Sequence, residues 1–537
     1  MAADADVLVV GDGPVGQTLA IMLAEKGWKV TVVDRWPQPY TMSRAVAFDS
    51  EAARTLASIG LTRYIETMTE PSGRYCWRNA DGKTLLDIEG SQRGWCHWPD
   101  STSMFQPELE QALTARGAQL PSLTVLRGRE VVDATDLGDH VRITCAGPGG
   151  EQQDLTGRWL VGCDGANSFV RDRIGTAVCD LSFSRDWLIC DVVLNEQRAF
   201  DPNNLQICDP DRPRTEASAG PGHRRWEFMR LDHETVEEID AEPAVWRLLG
   251  LFGVTPDNAT LLRHAVYTFQ SRWARRWRAG RMLIAGDAAH VMPPFAGQGM
   301  CSGIRDAANL CWKLDLVLRG YGDDALLDTY VVERSRHVQH AIRMSVELGR
   351  VICQLDPVAA ADRDVVMIGA RERGIGAGAP QAPVHPLRGG LLYRGGSQAG
   401  PLTGHLVPQA RVRRGAVTGL FDEVAQADGC FVLLSREDPS AYLGESAVTF
   451  LRSLGVCTVT VVPGDATSGG TALGSTAAAE TVADIDGRYL RYLADAGALA
   501  VLIRPDYYVF GQISRPEEYA LVIDDLREQL AVAALAS

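Results

Sequence analysis

The sequence predicts an α/β protein, and three stretches predict it. "DVLVVGDGPVG" from Asp6, "WLVGCDGANSFVR" from Trp159 and "RMLIAGDAAH" from Arg281 each run as a short apolar strand that stops at glycine and aspartate. Continuous apolar runs of this kind are how parallel strands buried on both faces read. A chain of 537 residues with 46% hydrophobic content can bury two or three cores, so further domains are expected around that sheet. With a net charge of −15 and no long Lys/Arg block, nucleic acid is excluded as a partner. The 12 cysteines contain no C-x-x-C, which argues against a zinc ribbon, a dithiol site or any other metal centre, and suits a reducing cytoplasm. No charged leader opens the chain, and no apolar run approaches the roughly 18 residues of a membrane span. A cytoplasmic protein is therefore expected.

In chain order, Val7 to Val10 is the first strand, Val15 to Lys26 has helical spacing, and "WKVTVVD" is a second strand ending at Asp34. The turn between the first two is Gly11-Asp12-Gly13-Pro14-Val15-Gly16. Its glycines permit a tight turn, and the amides at the helix start suit a pyrophosphate. Asp34, followed by Arg35, sits where a ribose hydroxyl needs a carboxylate acceptor. An ordinary strand-turn-helix is the bland alternative, and the flanking strands with Asp34 favour a dinucleotide. The second stretch stops at Cys163-Asp164-Gly165, with Ser168 placed to cap a helix. In the third, Asp287 can accept from a polyol, while Pro293, Pro294, Gly297 and Gly299 shape a loop whose backbone can lie against a flat ligand. The helix expected from Met300 to Leu318 turns its positive end toward that loop. A flavin with its ribityl chain calls for the acceptor, the flat approach and the positive helix end together.

"GDGPVG", "GCDGANSFVR" and "AGDAAHVMPPFAGQGMCSGIRDAANLCWKL", in this order, resemble the three fingerprints of the FAD-dependent aromatic hydroxylases, the group A flavoprotein monooxygenases with the para-hydroxybenzoate hydroxylase fold. "SRAVAFDSEAARTLASIGL", "ICDPDRP", "RRWEFM" and "ALLDTYVVERSRHVQHAIRMS" narrow the likeness to the 3-(3-hydroxyphenyl)propionate hydroxylase branch, over about Asp6 to Val351. The resemblance implies a Rossmann-like FAD-binding domain in three pieces, 1–75, 101–180 and 266–370. It is interrupted by a β-sheet substrate domain at 76–100 and 181–265. A connecting segment at 371–400 and a thioredoxin-like domain at 401–537 follow, the latter carrying "CFVLLS", "CTVTVV" and "ALAVLIRPD" as strands. Cys430 and Cys457 stand alone in sequence, so packing, self-association into a homodimer, or partner binding is expected of that domain rather than redox work.

The implied chemistry is insertion of one oxygen atom of O2 into an electron-rich phenolic ring through a flavin C4a-hydroperoxide. FAD is held noncovalently, and NADH or NADPH visits transiently. A phenol with a pKa near 10 is mostly neutral at working pH, so a polarising group matters. Related phenol hydroxylases place an aspartate and a tyrosine where Asp49 and Tyr267 stand here, and these are the catalytic candidates. An N-cap role for Asp49 and a core role for Tyr267 are the alternatives. Arg44 and Gln106 match family positions that contact FAD. Arg225 could reach the flavin or a substrate carboxylate, His264 is a substrate-side candidate or a structural residue, and His290 is expected beside the flavin loop. Baeyer–Villiger or secondary-metabolite tailoring chemistry on the same scaffold, an NAD-linked dehydrogenase and a non-catalytic FAD-binding protein remain as other readings.

Overall fold

In the computed structural model, which describes residues 3–39, 44–375, 385–396, 399–427, 429–465 and 480–530, the first strand is Ala5–Val10. It lies between Gln152–Gly162 and Val30–Asp34 and is parallel to both. The helix joining the first two strands, Pro14–Glu25, starts with proline at its first turn, where the missing N–H costs nothing. Met282–Ile284 and Leu123–Arg127 extend the parallel set on either side, so all three fingerprint strands sit in one eight-stranded sheet with their glycine ends together. Residues Val7, Val9, Leu160, Val161 and Leu283 are buried in its middle, which is why these runs show no alternation.

A second eight-stranded sheet is ordered His290–Val291, Ala259–Ala274, Val178–Leu194, His223–Met229, Arg214–Ser218, Asn204–Cys208, Arg74–Asn79, Thr84–Glu89. Its two faces follow from strand alternation. Leu188, Cys190, Val192, Trp226 and Phe228 point to one side and share a core with the helix Glu242–Leu249 through Val245, Leu248 and Leu249. Trp187, Ile189 and Met229 point to the other and pack with Trp77, Ile352, Phe269 and Phe295. Both sheets belong to one compact unit, residues 1–94, 98–304 and 338–382.

The other unit comprises residues 95–97, 305–337 and 383–537. Its seven-stranded sheet has Val432–Ser435, Cys457–Pro463 and Glu480–Asp484 in parallel, with Ala500–Ile503 and Val509–Ile513 added antiparallel. The expected strands are therefore present. One face is covered by Glu445–Ser453 and Glu518–Gln529 together with Trp312, Leu316 and Leu326, the other by Arg488–Asp495 through Tyr489 and Leu493. Cys430 and Cys457, solitary in sequence, face each other here, and the neighbouring thiol raises the pKa of Cys457. Part of the stretch read as connection, 376–384 and 397–398, lies outside the described residues. Among the described residues no helix is long and apolar enough to cross a membrane.

Candidate active site

The Gly11–Gly16 turn can be built only from glycine at two points. Gly11 has φ +103°, and a Cβ there would collide with the Cys163 carbonyl, while one on Gly16 would collide with the carbonyl of Gly11. The helix that follows has no side-chain cap and no acidic residue in its first turn, so its N–H groups suit an anion. Asp34 closes the adjacent strand and accepts the amides of Asp12 and Trp36, both at 2.7 Å, one on each carboxylate oxygen. Arg35 lies over the Trp36 ring, 5.4 Å from its centroid. Asp12 pairs with Arg127 at 2.5 Å, although burial still pushes its carboxyl up to about 7. The contact geometry fixes the pair, and the raised pKa says that this arginine does not fully offset the lost hydration.

Asp164 spends its carboxylate on its own helix, accepting from the Ser168 hydroxyl at 2.5 Å and the Val170 amide at 3.1 Å. Burial pushes its pKa up despite these bonds. Ser168 in turn caps Phe169–Ile174 by accepting from the Arg171 amide, as its position suggested. At the third fingerprint, Asp287 lies 2.8 Å from the Arg44 guanidinium, both side chains being partly exposed. The Pro294–Ala296 turn ends at Gly297 in the left-handed region and leads into the helix Gly299–Arg319, which carries Met300 in its first turn. Phe295 anchors this loop on the second sheet, with ring centroids 5.8 Å from both Trp187 and Phe269. His290 packs against Trp277, 5.4 Å between rings.

Gln106 accepts the amides of Arg44 and Ala45 and donates to Glu110, so it holds backbone rather than reaching outward. The Arg44 carbonyl then accepts from Arg225 at 2.8 Å. Arg225 makes a two-point pair with Asp191, 2.7 and 3.0 Å, and Arg263 bonds the same carboxylate at 2.6 Å. Burial would raise the Asp191 pKa, but Arg225 and Arg263 hold it below the usual range. Arg263 also donates to the Tyr267 hydroxyl at 3.1 Å. A continuous chain thus runs from Asp287 through Arg44, Arg225, Asp191 and Arg263 to Tyr267. Asp49 caps Ser50–Leu56 with one oxygen and accepts from Gln298, inside the proline-glycine loop, with the other at 3.2 Å. His264 is set apart: its neighbours Arg263 and Tyr267 occupy one face of the strand, while its Nδ1 lies 2.8 Å from Asp240 on the other.

Asp191, Arg263, Gln298 and Phe295 escaped sequence reasoning. The only signal for the first was an acid inside the apolar strand "LICDVVL", since a buried charge requires partners. The geometry fits a flavin: two acidic acceptors at strand ends, a glycine-only turn, an uncapped helix start, and a loop pinned flat by an aromatic cluster.

Comparison with known proteins agrees. The family described as FAD binding domain matches residues 4–345, and the HcaD C-terminal domain matches residues 404–529. A probable NADH-specific resorcinol 4-hydroxylase of Rhodococcus jostii (strain RHA1) is 37% identical over 97% of this chain and 94% of its own. A 3-(3-hydroxy-phenyl)propionate/3-hydroxycinnamic acid hydroxylase of Escherichia coli O139:H28 is 31% identical over 94% and 91%. Among solved structures, the flavin-dependent monooxygenase PieE in complex with FAD and substrate has a TM-score of 0.81 at 19% identity, covering 98% of this chain and 100% of that one. At that identity the likeness speaks for the fold.

Proposed function

The chain belongs to the FAD binding domain family and is a flavin-dependent aromatic monooxygenase, and from this premise we propose that it uses NADH and O2 to hydroxylate a small phenol. One atom of O2 enters the ring and the other leaves as water. The observation that carries the reading is the hydrogen-bonded chain from Asp287 to Tyr267. It ties an acceptor for the cofactor to a polarising hydroxyl for the substrate.

When bound, FAD accepts hydride from the nicotinamide and activates dioxygen. The residues of this chain do the rest. Asp34 and Asp287 accept from the sugar hydroxyls at the two ends of the cofactor, and the Gly11–Gly16 turn receives its phosphates on backbone amides. Phe295 and its aromatic partners hold the loop against the second sheet, so that it is in place to cover a bound ring system. Because Arg263 donates to the Tyr267 oxygen, the tyrosine proton is directed away from it and toward a ring hydroxyl, and the arginine charge favours the phenolate. Asp49, steadied by Gln298, takes the proton of the substrate hydroxyl. The C-terminal unit is read as thioredoxin-like without a C-x-x-C pair, serving packing or self-association.

The test is the ratio of hydroxylated product to NADH consumed. Asp49→Ala and Tyr267→Phe are expected to slow oxygen transfer about 10²–10⁴-fold, with the balance of the reducing equivalents appearing as hydrogen peroxide. Asp49→Asn separates the two duties of that residue, since asparagine caps a helix as well as aspartate but cannot take a proton. A wild-type ratio in all three variants would make both residues structural.

A further inference from the structure

The thiols of Cys430 and Cys457 face each other in the C-terminal unit and take no part in the chemistry proposed above. Of the four cysteines in that unit, Cys96 and Cys311 are buried, whereas this pair keeps part of its surface accessible. Local structure explains why the two meet. Cys457 opens the strand Cys457–Pro463, which pairs in parallel with Val432–Ser435 so that Cys457 stands opposite Val432. Its amide donates to the Phe431 carbonyl at 2.9 Å, which fixes this strand end beside the entry to the other. The chain bends back before it enters Val432. After the helix Phe421–Val424, the amides of Gln426, Ala427 and Cys430 donate to the carbonyls of Glu423, Asp422 and Ala427, at 3.3, 2.9 and 3.3 Å. That bend carries the Gln426 carbonyl to 3.8 Å from the Cys457 sulfur and brings the Cys430 sulfur within hydrogen-bond reach of it.

The pair is chemically asymmetric. The hydrogen bond to Cys430 pushes the Cys457 pKa up, burial adds to the rise, and so does the charge of an ionised Cys430. The last proton of the pair therefore stays on Cys457, and Cys430 is the sulfur that ionises first. The thiolate is the form that attacks an oxidant. Hydrogen peroxide is the oxidant this enzyme itself releases when reducing equivalents are spent without oxygen reaching a ring.

We propose that Cys430 and Cys457 are a peroxide-responsive modification site that closes into a reversible disulfide, stapling the entries of the two parallel strands. The Cys430 thiolate attacks one oxygen of hydrogen peroxide and the O–O bond breaks, leaving a sulfenic acid on Cys430. The departing hydroxide takes up the proton that Cys430 had released and becomes water. The Cys457 sulfur then attacks the Cys430 sulfur, the S–O bond breaks, and the hydroxyl leaves with the Cys457 proton as a second water. Two thiols give up two electrons, and one peroxide is reduced to two waters. The new bond closes the loop that holds the helix Glu445–Ser453. It restricts the unfolded chain, so the folded unit gains stability.

The experiment uses the full chain loaded with FAD, reduced with dithiothreitol, freed of it, and treated with hydrogen peroxide as the probe. Substrate and NADH are left out, so the outcome does not depend on which ring is hydroxylated. Differential alkylation with peptide mass mapping follows every cysteine, and calorimetry follows the transition that contains the C-terminal unit. The expected result is a Cys430–Cys457 cross-link within one chain, its removal by dithiothreitol, and a rise of several degrees in that transition on oxidation. Cys457→Ser should halt the reaction at a sulfenic acid on Cys430, captured by dimedone, and Cys430→Ser should leave Cys457 a thiol. Neither variant should show the thermal shift. The wild-type map decides the matter alone if a variant fails to fold. Persistence of both thiols in excess peroxide would overturn the proposal, as would a cross-link to another cysteine or another chain, or one that leaves the transition in place.

Discussion

Asp287 and Arg44 form an ion pair whose side chains are 35% and 50% exposed, so the pair itself contributes at most about 1 kcal/mol to folding. Asp287→Ala should consequently leave the unfolding midpoint nearly unchanged while weakening FAD binding about 10- to 100-fold, the cost of losing one bond from a charged acceptor. A flavin fluorescence titration of the apoprotein checks this, and unchanged affinity would place the ribityl acceptor elsewhere. Gly11 is the contrasting case. With φ +103° and the Cys163 carbonyl standing where a Cβ would project, Gly11→Ala must move the backbone at the end of a central strand, so affinity and stability should fall together. Residues of the first kind were legible in the sequence because a strand end, a glycine and an acid occur within a few positions of one another. Asp191, Arg225 and Arg263 were not, because the partners are 34 and 72 positions apart and meet only when three strands pair in register. Arg225 was legible as a polar residue on a strand, but its neutralisation by Asp191 was not.

The elements that could be read best were those whose pattern is set by one neighbour, namely the parallel strands with continuous apolar runs and the long helix Gly299–Arg319. What that helix buries could not be read. Within the C-terminal unit Lys313 bonds Glu333 at 2.7 Å, Arg504 bonds both Glu333 and Asp506 at 2.7 and 2.6 Å, and Asn309 bridges the two acids. All of these side chains are buried. Trp312 lies against both cations, 5.3 and 5.1 Å from its ring centroid. The sequence shows "NLCWKLD" at helical spacing and no hint that the lysine faces inward. Removing one member leaves charge uncompensated in a dry site, so Glu333→Gln should destabilise the unit by about 3–5 kcal/mol in denaturant unfolding. Burial opposes the charge on Glu333, yet Arg504 and Lys313 hold its pKa at about 2 against an ordinary 4.5. Its contribution is therefore complete above about pH 4.5 and is lost as the pH falls toward 2. Lys313 shifts in the same direction in a higher window: burial lowers it to about 8 from 10.5, so between those values the unfolded chain again holds more protons and this group's contribution also rises with pH. Stability of wild type measured from pH 5 to pH 2 should fall more steeply than that of Glu333→Gln, and parallel curves would show that the cluster does not titrate as a unit.

At the scale of the whole molecule, the residues proposed to hold FAD, from Gly11 and Asp34 to Arg44, Asp287 and Gly299, all fall in the unit formed by residues 1–94, 98–304 and 338–382. The buried charge cluster falls entirely in the other unit. A ligand stabilises only the part of the chain that forms its site, by RT ln(1 + [L]/Kd), or about 2.7 kcal/mol at a concentration 100 times Kd. Calorimetry of the holoenzyme is therefore expected to show two transitions, and removal of FAD should lower the one that contains the site by several degrees while leaving the other in place. Glu333→Gln should do the reverse, moving the second transition and sparing the first. The two perturbations together make the expectation strict, because each unit serves as the control for the other. If both treatments shift a single transition, the units unfold as one cooperative body, and the helices Gly299–Arg319 and Leu326–Ile352, each of which runs through residues of both units, are what couples them.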